Sequence, residues 1–189
     1  VAVLVSPSLI AADLSNNALP LYLARPITRA EYVLGKTAVL ALLLSPMTWV
    51  MGLATFALQA SLEGGGWWVN NYQIGVAYLV GHLTWIVVIS MLTLAISAWV
   101  RYKPVARGAL FAIIFILAGF ATAVNAVTRT SWGDLIHLVR AINSVVLSLF
   151  GAPTPSGLPV FWNWLTLAGV TTLSLWLIWR KLRPHEVVR

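Results

Sequence analysis

Long apolar stretches without a single charge dominate the hydrophobic pattern of this chain. Residues 37–61, 73–100, 108–127 and 160–179 contain no Asp, Glu, Lys or Arg. Each run is close to or longer than the roughly 20 residues that a helix needs to cross a bilayer. A backbone in lipid must satisfy its own hydrogen bonds, and continuous apolar runs lack the alternation of a membrane β-barrel. The pattern predicts an all-α fold, a polytopic membrane helix bundle with four full spans.

The first 12 residues are also apolar, but they are too few to cross a bilayer. They lack the basic region that opens a signal peptide. Because the chain begins with Val1, we expect residues 1–12 to be the end of a truncated fifth span, and the chain to be the C-terminal part of a longer protein. A short interfacial or buried segment is the alternative.

Residues 131–150, between the last two runs, have an amphipathic pattern. Ser131 and Asp134 resemble a capping box at its start, and Gly151 and Pro153 follow its end. The pattern predicts an external amphipathic helix, which either only packs over the mouth of the bundle or takes part in gating or substrate exit. Its apolar side recurs at spacings of three and four, through Leu135, Leu138, Val139, Ile142, Val145, Val146 and Leu149. The opposite, polar side, which is expected to face outward, holds Asp134, His137, Arg140, Ala141, Ser144 and Ser148.

Composition narrows the class of protein further. The 189 residues are 60% hydrophobic and 9% charged, whereas soluble domains are about 25% charged. A soluble fold of this size cannot bury so much apolar surface, which excludes a soluble enzyme, a disordered tail and a nucleic-acid-binding module. The chain has no cysteine, so it has no disulfide, no thiolate metal site and no cysteine nucleophile.

The basic residues predict the orientation in the membrane. Ten of the 12 Lys and Arg residues lie in segments 13–36 and 101–107 and in the tail from residue 180. These segments alternate with two poorly basic ones, 63–72 and 128–159. The positive-inside rule places the basic segments and the C-terminus in the cytoplasm. The net charge of +7 therefore indicates orientation, and no nucleic-acid partner is expected.

The cytoplasmic segment 13–36 carries the most information. Thr28 and Glu31 form a capping box, which predicts a helix that begins at about Arg29 and continues into the first span. Pro46 is expected to kink that span. Ahead of the cap, residues 19–23 form a compact apolar group between polar flanks, and an exposed group of this kind favours a protein partner.

In this segment an acidic residue, a polar stretch and an apolar group precede Arg-Pro-Ile-Thr-Arg and Glu-Tyr-Val-Leu-Gly-Lys, which lead into a span. This order resembles the permease subunit of type-2 ABC transporters. Ser-Asn-Asn-Ala at 15–18 replaces the Gly-Thr pair of that family, and the resemblance is sharpest over the first quarter of the chain. The matching residues are Asp13, Leu19, Arg25, Pro26, Thr28, Arg29, Tyr32, Gly35 and Lys36.

The resemblance implies that segment 13–36, including Leu21 and Glu31, is a coupling loop that docks on a separate ATP-binding cassette subunit. ATP and Mg²⁺ are then bound by that partner, and no cofactor is bound by this chain. It also implies a second permease subunit, membrane lipid as the surroundings, and a place in the plasma membrane as part of an exporter. Gly35 and Lys36 do not belong to a P-loop, because its first glycine would fall on Ala30.

Uncharged polar residues inside the spans are the remaining candidates for chemistry. Gln59, His82 and Asn125 either line a cavity or hydrogen-bond to neighbouring helices. No second histidine stands at a metal-ligand spacing from His82. An intramembrane enzyme or a non-catalytic scaffold is the alternative function, and the absence of acids from the four runs argues against the enzyme.

Overall fold

The computed structural model describes residues 28–100 and 102–181. Within these ranges the chain is helical and contains no strand, which confirms the predicted all-α fold. Six α-helices follow one another: α1 Arg29–Leu44, α2 Trp49–Glu63, α3 Gly65–Trp99, α4 Lys103–Thr128, α5 Leu138–Leu149 and α6 Val160–Lys181. The truncated span expected at residues 1–12 and most of segment 13–36 lie outside the described residues.

In the part of the chain that the structure describes, four helical stretches are long and apolar enough to cross a membrane. They are Ala30–Glu63, Gly66–Trp99, Pro104–Thr128 and Val160–Lys181, which confirms the four predicted spans. The helices also extend beyond the predicted ends of the spans. Both α1 and α3, a helix of 35 residues, begin eight residues before the predicted starts at residues 37 and 73.

The first span is broken in its middle, as Pro46 predicts. A 3-10 turn at Ser45–Met47 separates α1 from α2, because proline has no N–H to continue the α-helical ladder. The Thr48 amide bonds to the Ser45 carbonyl, so the Leu44 carbonyl loses its usual partner. The Thr48 hydroxyl replaces it and donates to Leu44 O at 2.9 Å. The break therefore leaves this carbonyl satisfied, as the membrane interior requires.

The connection between α2 and α3 is a single residue, Gly64. Its φ of 89° lies in the left-handed region that favours glycine. Residues 63–72, expected as a connecting segment, are thus helical on both sides of Gly64. The hairpin is closely packed: the Phe56 ring contacts Trp67 and Trp68 at centroid distances of 5.4 and 5.5 Å.

The amphipathic segment after α4 differs from the prediction of one continuous helix over 131–150. A 3-10 turn at Trp132–Leu135 comes first, and α5 begins at Leu138. The predicted Ser131–Asp134 capping box is wrong, because Ser131 makes no side-chain capping bond and Asp134 bonds to other partners. Instead, the backbone N–H of Arg140 donates to Nδ1 of His137 at 3.3 Å, which caps α5.

The buried side of α5 is also rotated from the predicted one. Ala141 and Ser144 are fully buried, whereas Val139 is 43% exposed. The pattern of apolar residues placed Val139 inside and the two small residues outside. The small side chains allow close approach of the packed elements, which a simple count of apolar residues does not capture. Gly151, with a φ of 70°, ends the helical segment as expected.

The chain divides into two compact units, which are described separately. The first contains residues 28–43, 87–113 and 169–181, and the second contains Leu44–Ile86 and Ile114–Ala168. The core of the first unit joins α1, the end of α3 and the end of α6. Its buried members are Tyr32, Val33, Leu40, Leu94, Ala95, Ala98 and Ile178.

Candidate functional site

The described end of segment 13–36 is a capped helix start. The Thr28 amide donates to Oε2 of Glu31 at 2.7 Å, and the Glu31 amide donates to the Thr28 hydroxyl at 3.3 Å. These reciprocal bonds confirm the predicted capping box. Glu31 precedes the charge-free run and is exposed. The bond from the Thr28 backbone, followed by that from the Thr28 hydroxyl, holds the pKa of Glu31 below its ordinary value of 4.5.

From this cap, α1 continues without interruption to Leu44. Gly35 does not break it, and the Thr37 hydroxyl donates to the Val33 carbonyl at 2.8 Å. Tyr32 is buried, and the ammonium group of Lys36 lies 5.5 Å from the centre of its ring. The segment after Thr28 is therefore fixed both by its backbone ladder and by packing into the core of the first unit.

Trp99 and Lys181 mark the end of the first unit where α3 and α6 finish. The Trp99 indole N–H donates to the Leu177 carbonyl at 3.3 Å. The Lys181 ammonium lies 5.2 Å from the centre of the Trp99 ring. Because Tyr32 of α1 shares a core with Ala98 and Ile178, the start of α1 and the ends of α3 and α6 lie at the same end of the unit. Spans that alternate in direction require this arrangement.

Several predicted docking residues lie outside the described part, and for Arg29 only the helical backbone is described. The residues outside the described part are Asp13, Leu19, Leu21, Arg25 and Pro26. The docking roles of these five residues and of Arg29 stay predictions.

Gln59 and His82, both candidates from the sequence, lie apart in the second unit. Gln59 is exposed on α2, and its amide donates to Oε1 of Glu63 at 3.0 Å. His82 is half-buried, with Nδ1 2.8 Å from the Tyr78 carbonyl. Its ring stacks on Tyr78 with centroids 5.5 Å apart, and Tyr78 meets Phe150 edge-on at 5.0 Å. A role of either residue in a cavity stays a prediction.

Asn125, the third candidate, holds the segment after α4 in place. Its Nδ2 donates to Oδ1 of Asp134 at 2.7 Å, and its Oδ1 accepts from the Gly133 amide at 2.7 Å. Arg140 forms an ion pair with the same Asp134 oxygen. Asp134 is only 3% exposed. The four residues form a partly buried polar network, here called the Asn125 network, which ties the end of α4 to the start of α5.

Sequence reasoning missed this network and a second buried pair. Asp134 was expected to cap a helix and Arg140 to face solvent, and nothing in their spacing indicates Asn125 as a partner. The second pair is Asn163 and Ser156, in which the Asn163 amide donates to the Ser156 hydroxyl at 3.0 Å. Asn163 is fully buried, and its Oδ1 accepts no hydrogen bond from any of the residues that the structure describes.

Close glycine contacts support the packing around the Asn125 network and around Tyr78. A Cβ built on Gly133 would lie 2.3 Å from the Ala121 carbonyl oxygen, and one on Gly52 would lie 2.3 Å from Cδ1 of Tyr78. Only glycine fits at such distances. Among the described residues, no group of three or more His, Cys, Asp or Glu is arranged to hold a metal ion.

Comparison with known proteins identifies the family. Neither a curated protein nor a solved structure matches the chain at a significant level. The family model described as "ABC-2 family transporter protein" matches residues 1–154, which covers segment 13–36, the first three spans and α5. Permeases of this family are the transmembrane components that act together with an ATP-binding cassette subunit and are not themselves the ATPase. With four apolar spans in its described part, the chain is a multi-pass membrane protein that belongs to the ABC-2 transporter family.

Proposed function

We propose that this chain is the transmembrane subunit of an ATP-driven exporter, in which segment 13–36 docks on a separate ATP-binding subunit. That partner binds ATP and Mg²⁺, and ATP-driven closure of two such subunits moves the docked segments. Two permease chains, as a homodimer or a heterodimer, then complete the transporter. The chain lies in the plasma membrane with its C-terminus in the cytoplasm.

The observation that carries the proposal is the continuity of α1 with its cap. Docking can drive transport only if a displacement of the loop reaches the span. The Thr28–Glu31 bonds fix the first turn, and α1 extends for 16 residues without a break. At 1.5 Å per residue, this is a rod of about 24 Å. A displacement applied at Thr28 is therefore carried well into the hydrocarbon region.

The proposed orientation is supported by the basic residues of the first unit. Lys36, Arg180 and Lys181 belong to the start of α1 and the end of α6, which lie at the same end of the unit. Clustered Lys and Arg residues mark the cytoplasmic side of a membrane protein. The coupling segment precedes this end of α1, so it is on the side where ATP is available.

Co-purification with the partner tests the proposal. We expect the double variant Leu21→Asp/Arg29→Glu to lose association with its ATP-binding subunit, while the chain still inserts into the membrane. An acid in the apolar group and a reversed charge oppose docking through both apolar contact and charge pairing. A matched double variant, Asn143→Asp/Arg129→Glu, changes exposed residues far along the chain and should co-purify normally.

The result separates transport from the alternative functions. If the Leu21→Asp/Arg29→Glu chain inserts and co-purifies as well as the native chain, segment 13–36 is not the docking site. If the native chain associates with no ATP-binding subunit, a scaffold or an intramembrane enzyme is the better description. Both outcomes would overturn the proposal.

A further inference from the structure

The last two turns of α6 combine exposed aromatic residues with two cations. Leu173 and Trp176 are 56% and 54% exposed, and Arg180 follows on the same side of the helix, since the spacings are three and four residues. Gly169, one turn earlier on that side, has no atom within 4 Å of where its Cβ would be. These four residues form an open apolar stripe that ends in a guanidinium group, here called the α6 stripe.

The opposite side of α6 is the one that packs against the protein. Ser174 and Ile178 are buried there, half a turn of the helix away from the α6 stripe. The first unit therefore packs against one side of α6 and leaves the other side exposed. A stripe that is apolar along its length and cationic at one end is complementary to an amphiphile with an anionic head group.

The two cations are held by aromatic rings. The Arg180 guanidinium lies 5.3 Å from the centre of the Trp176 ring, and the Lys181 ammonium lies 5.2 Å from that of Trp99. The Trp99 ring is fixed in turn by its bond to the Leu177 carbonyl. Rings orient cations in this way without neutralising them. Among the described residues, no carboxylate forms an ion pair with Arg180 or Lys181.

The position of the cations along α6 matches the depth of a phosphate group. The helix has 22 residues, a length of about 33 Å, whereas the hydrocarbon core is about 30 Å thick. Arg180 and Lys181, the last two residues of the helix, therefore reach the headgroup layer when the apolar part spans the core. Indole rings such as Trp176 favour this same layer.

From these observations we propose that the end of α6, with Trp99 of α3, binds an anionic phospholipid. Its phosphate accepts hydrogen bonds from Arg180 and Lys181, and one acyl chain lies along Leu173 and Gly169. Arginine binds phosphate oxygens with two parallel N–H groups, while lysine acts as a point charge. An acidic protein surface fits less well, because the cations cap an apolar stripe that points into lipid. This inference rests on the membrane location of the chain and not on ATP coupling.

Spin-label spectroscopy tests the site directly. The purified full chain is reconstituted in phosphatidylcholine vesicles with spin-labelled phosphatidylglycerol or spin-labelled phosphatidylcholine, and the motionally restricted fraction gives the preference between them. We expect the native chain to prefer phosphatidylglycerol. Arg180→Gln/Lys181→Gln should lower the preference about fivefold for each cation, since one Lys or Arg near the surface contributes about 1 kcal/mol.

Three control variants make the result specific. Arg180→Lys/Lys181→Arg keeps both charges and should retain most of the preference, and Arg129→Gln, outside the site, should retain all of it. Trp176→Ala keeps every charge but removes the ring beneath Arg180, so it should lower the preference partway. An unchanged preference in Trp176→Ala would mean that only long-range charge is at work, which overturns a built site.

Two further outcomes would contradict the proposal. One is an equal preference in the native chain and in Arg180→Gln/Lys181→Gln. The other is a double variant that keeps its lipid preference and loses the ATP-binding subunit, which would assign the cations to an acidic protein surface. Failure of the docking test on Leu21 leaves the lipid measurement unaffected, so the two proposals fail separately.

Discussion

Replacing Asn125 by alanine should release α5 from the end of α4. Asn125 is the only residue of its network that bonds to both Gly133 and Asp134. The substitution leaves the buried Gly133 amide without its acceptor and takes one of two donors from the buried Asp134 carboxylate. A bond to a charged group contributes about 1.5–3 kcal/mol in soluble proteins, and a neutral one about 1. Polar contacts inside membrane proteins average about 0.6 kcal/mol each.

From these values, Asn125→Ala should lower the free energy that holds α5 to the end of α4 by about 1–3 kcal/mol. The average for polar contacts in membrane proteins gives the low end of this range. Every 1.4 kcal/mol changes an equilibrium constant tenfold. If α5 opens without unfolding the spans, the population of the open form should rise between about fivefold and about 150-fold.

Cysteine labelling measures this opening, because the chain has no cysteine of its own. A reporter at Ala141, which is fully buried, reacts with a water-soluble maleimide only when α5 opens. Asn125→Ala should accelerate the labelling of Ala141→Cys by the factor above. Thr122→Ala is the matched control, since the Thr122 hydroxyl donates within α4, to the Ala118 carbonyl.

Equal labelling rates in Asn125→Ala and Thr122→Ala would refute the reasoning. In that case the Asn125 network does not hold α5. A variant that labels normally but alters transport would instead favour the sequence-based hypothesis that Asn125 lines a cavity.

Three further predictions concern close packing and the start of α1. Gly133→Ala places a methyl group against a backbone carbonyl, so its thermal midpoint should fall by more than that of Asn125→Ala. Gly52→Val should lower the free energy of unfolding by about 1–3 kcal/mol, and the thermal midpoint should fall with it. Gly119→Val should lower neither, because the space around a Cβ at Gly119 is open. The lowered pKa of Glu31 means that its contribution to the α1 cap is present above the ordinary value of 4.5 and is lost as the pH falls below it. Hydrogen exchange of the first turn should therefore accelerate in acid relative to Glu31→Gln, and a constant ratio would contradict the cap.

The spans and the first cap could be predicted because their causes are local. A charge-free run of sufficient length must be helical in lipid, and Thr28 reaches Glu31 within one helical turn. Pro46 acts through its own missing amide. Each of these effects depends on residues that are close together in sequence, so the sequence pattern alone is enough to predict the spans, the cap and the break.

The segment after α4 could not be predicted in the same way, because its partners compete. Ser131 and Asp134 have the spacing of a cap, but Asn125 and Arg140 both bond to Asp134. A short-range rule ranks the capping bond first, whereas the folded chain buries Asp134 and favours the charged, multiply bonded arrangement. The helix start then moves to His137, whose ring nitrogen supplies the missing acceptor. No spacing in the sequence indicates that choice.

Cross-linking from the apolar group at residues 19–23 of segment 13–36 tests the central proposal most directly. In the cysteine-free chain, a benzophenone maleimide attached at Leu21→Cys should cross-link to the ATP-binding subunit in native membranes, and ATP should change the yield. The same probe at Asn143→Cys, on the exposed side of α5, should give no such product. A cross-link from Asn143 and none from Leu21 would contradict the assignment of segment 13–36 as the site where ATP hydrolysis is coupled to the spans.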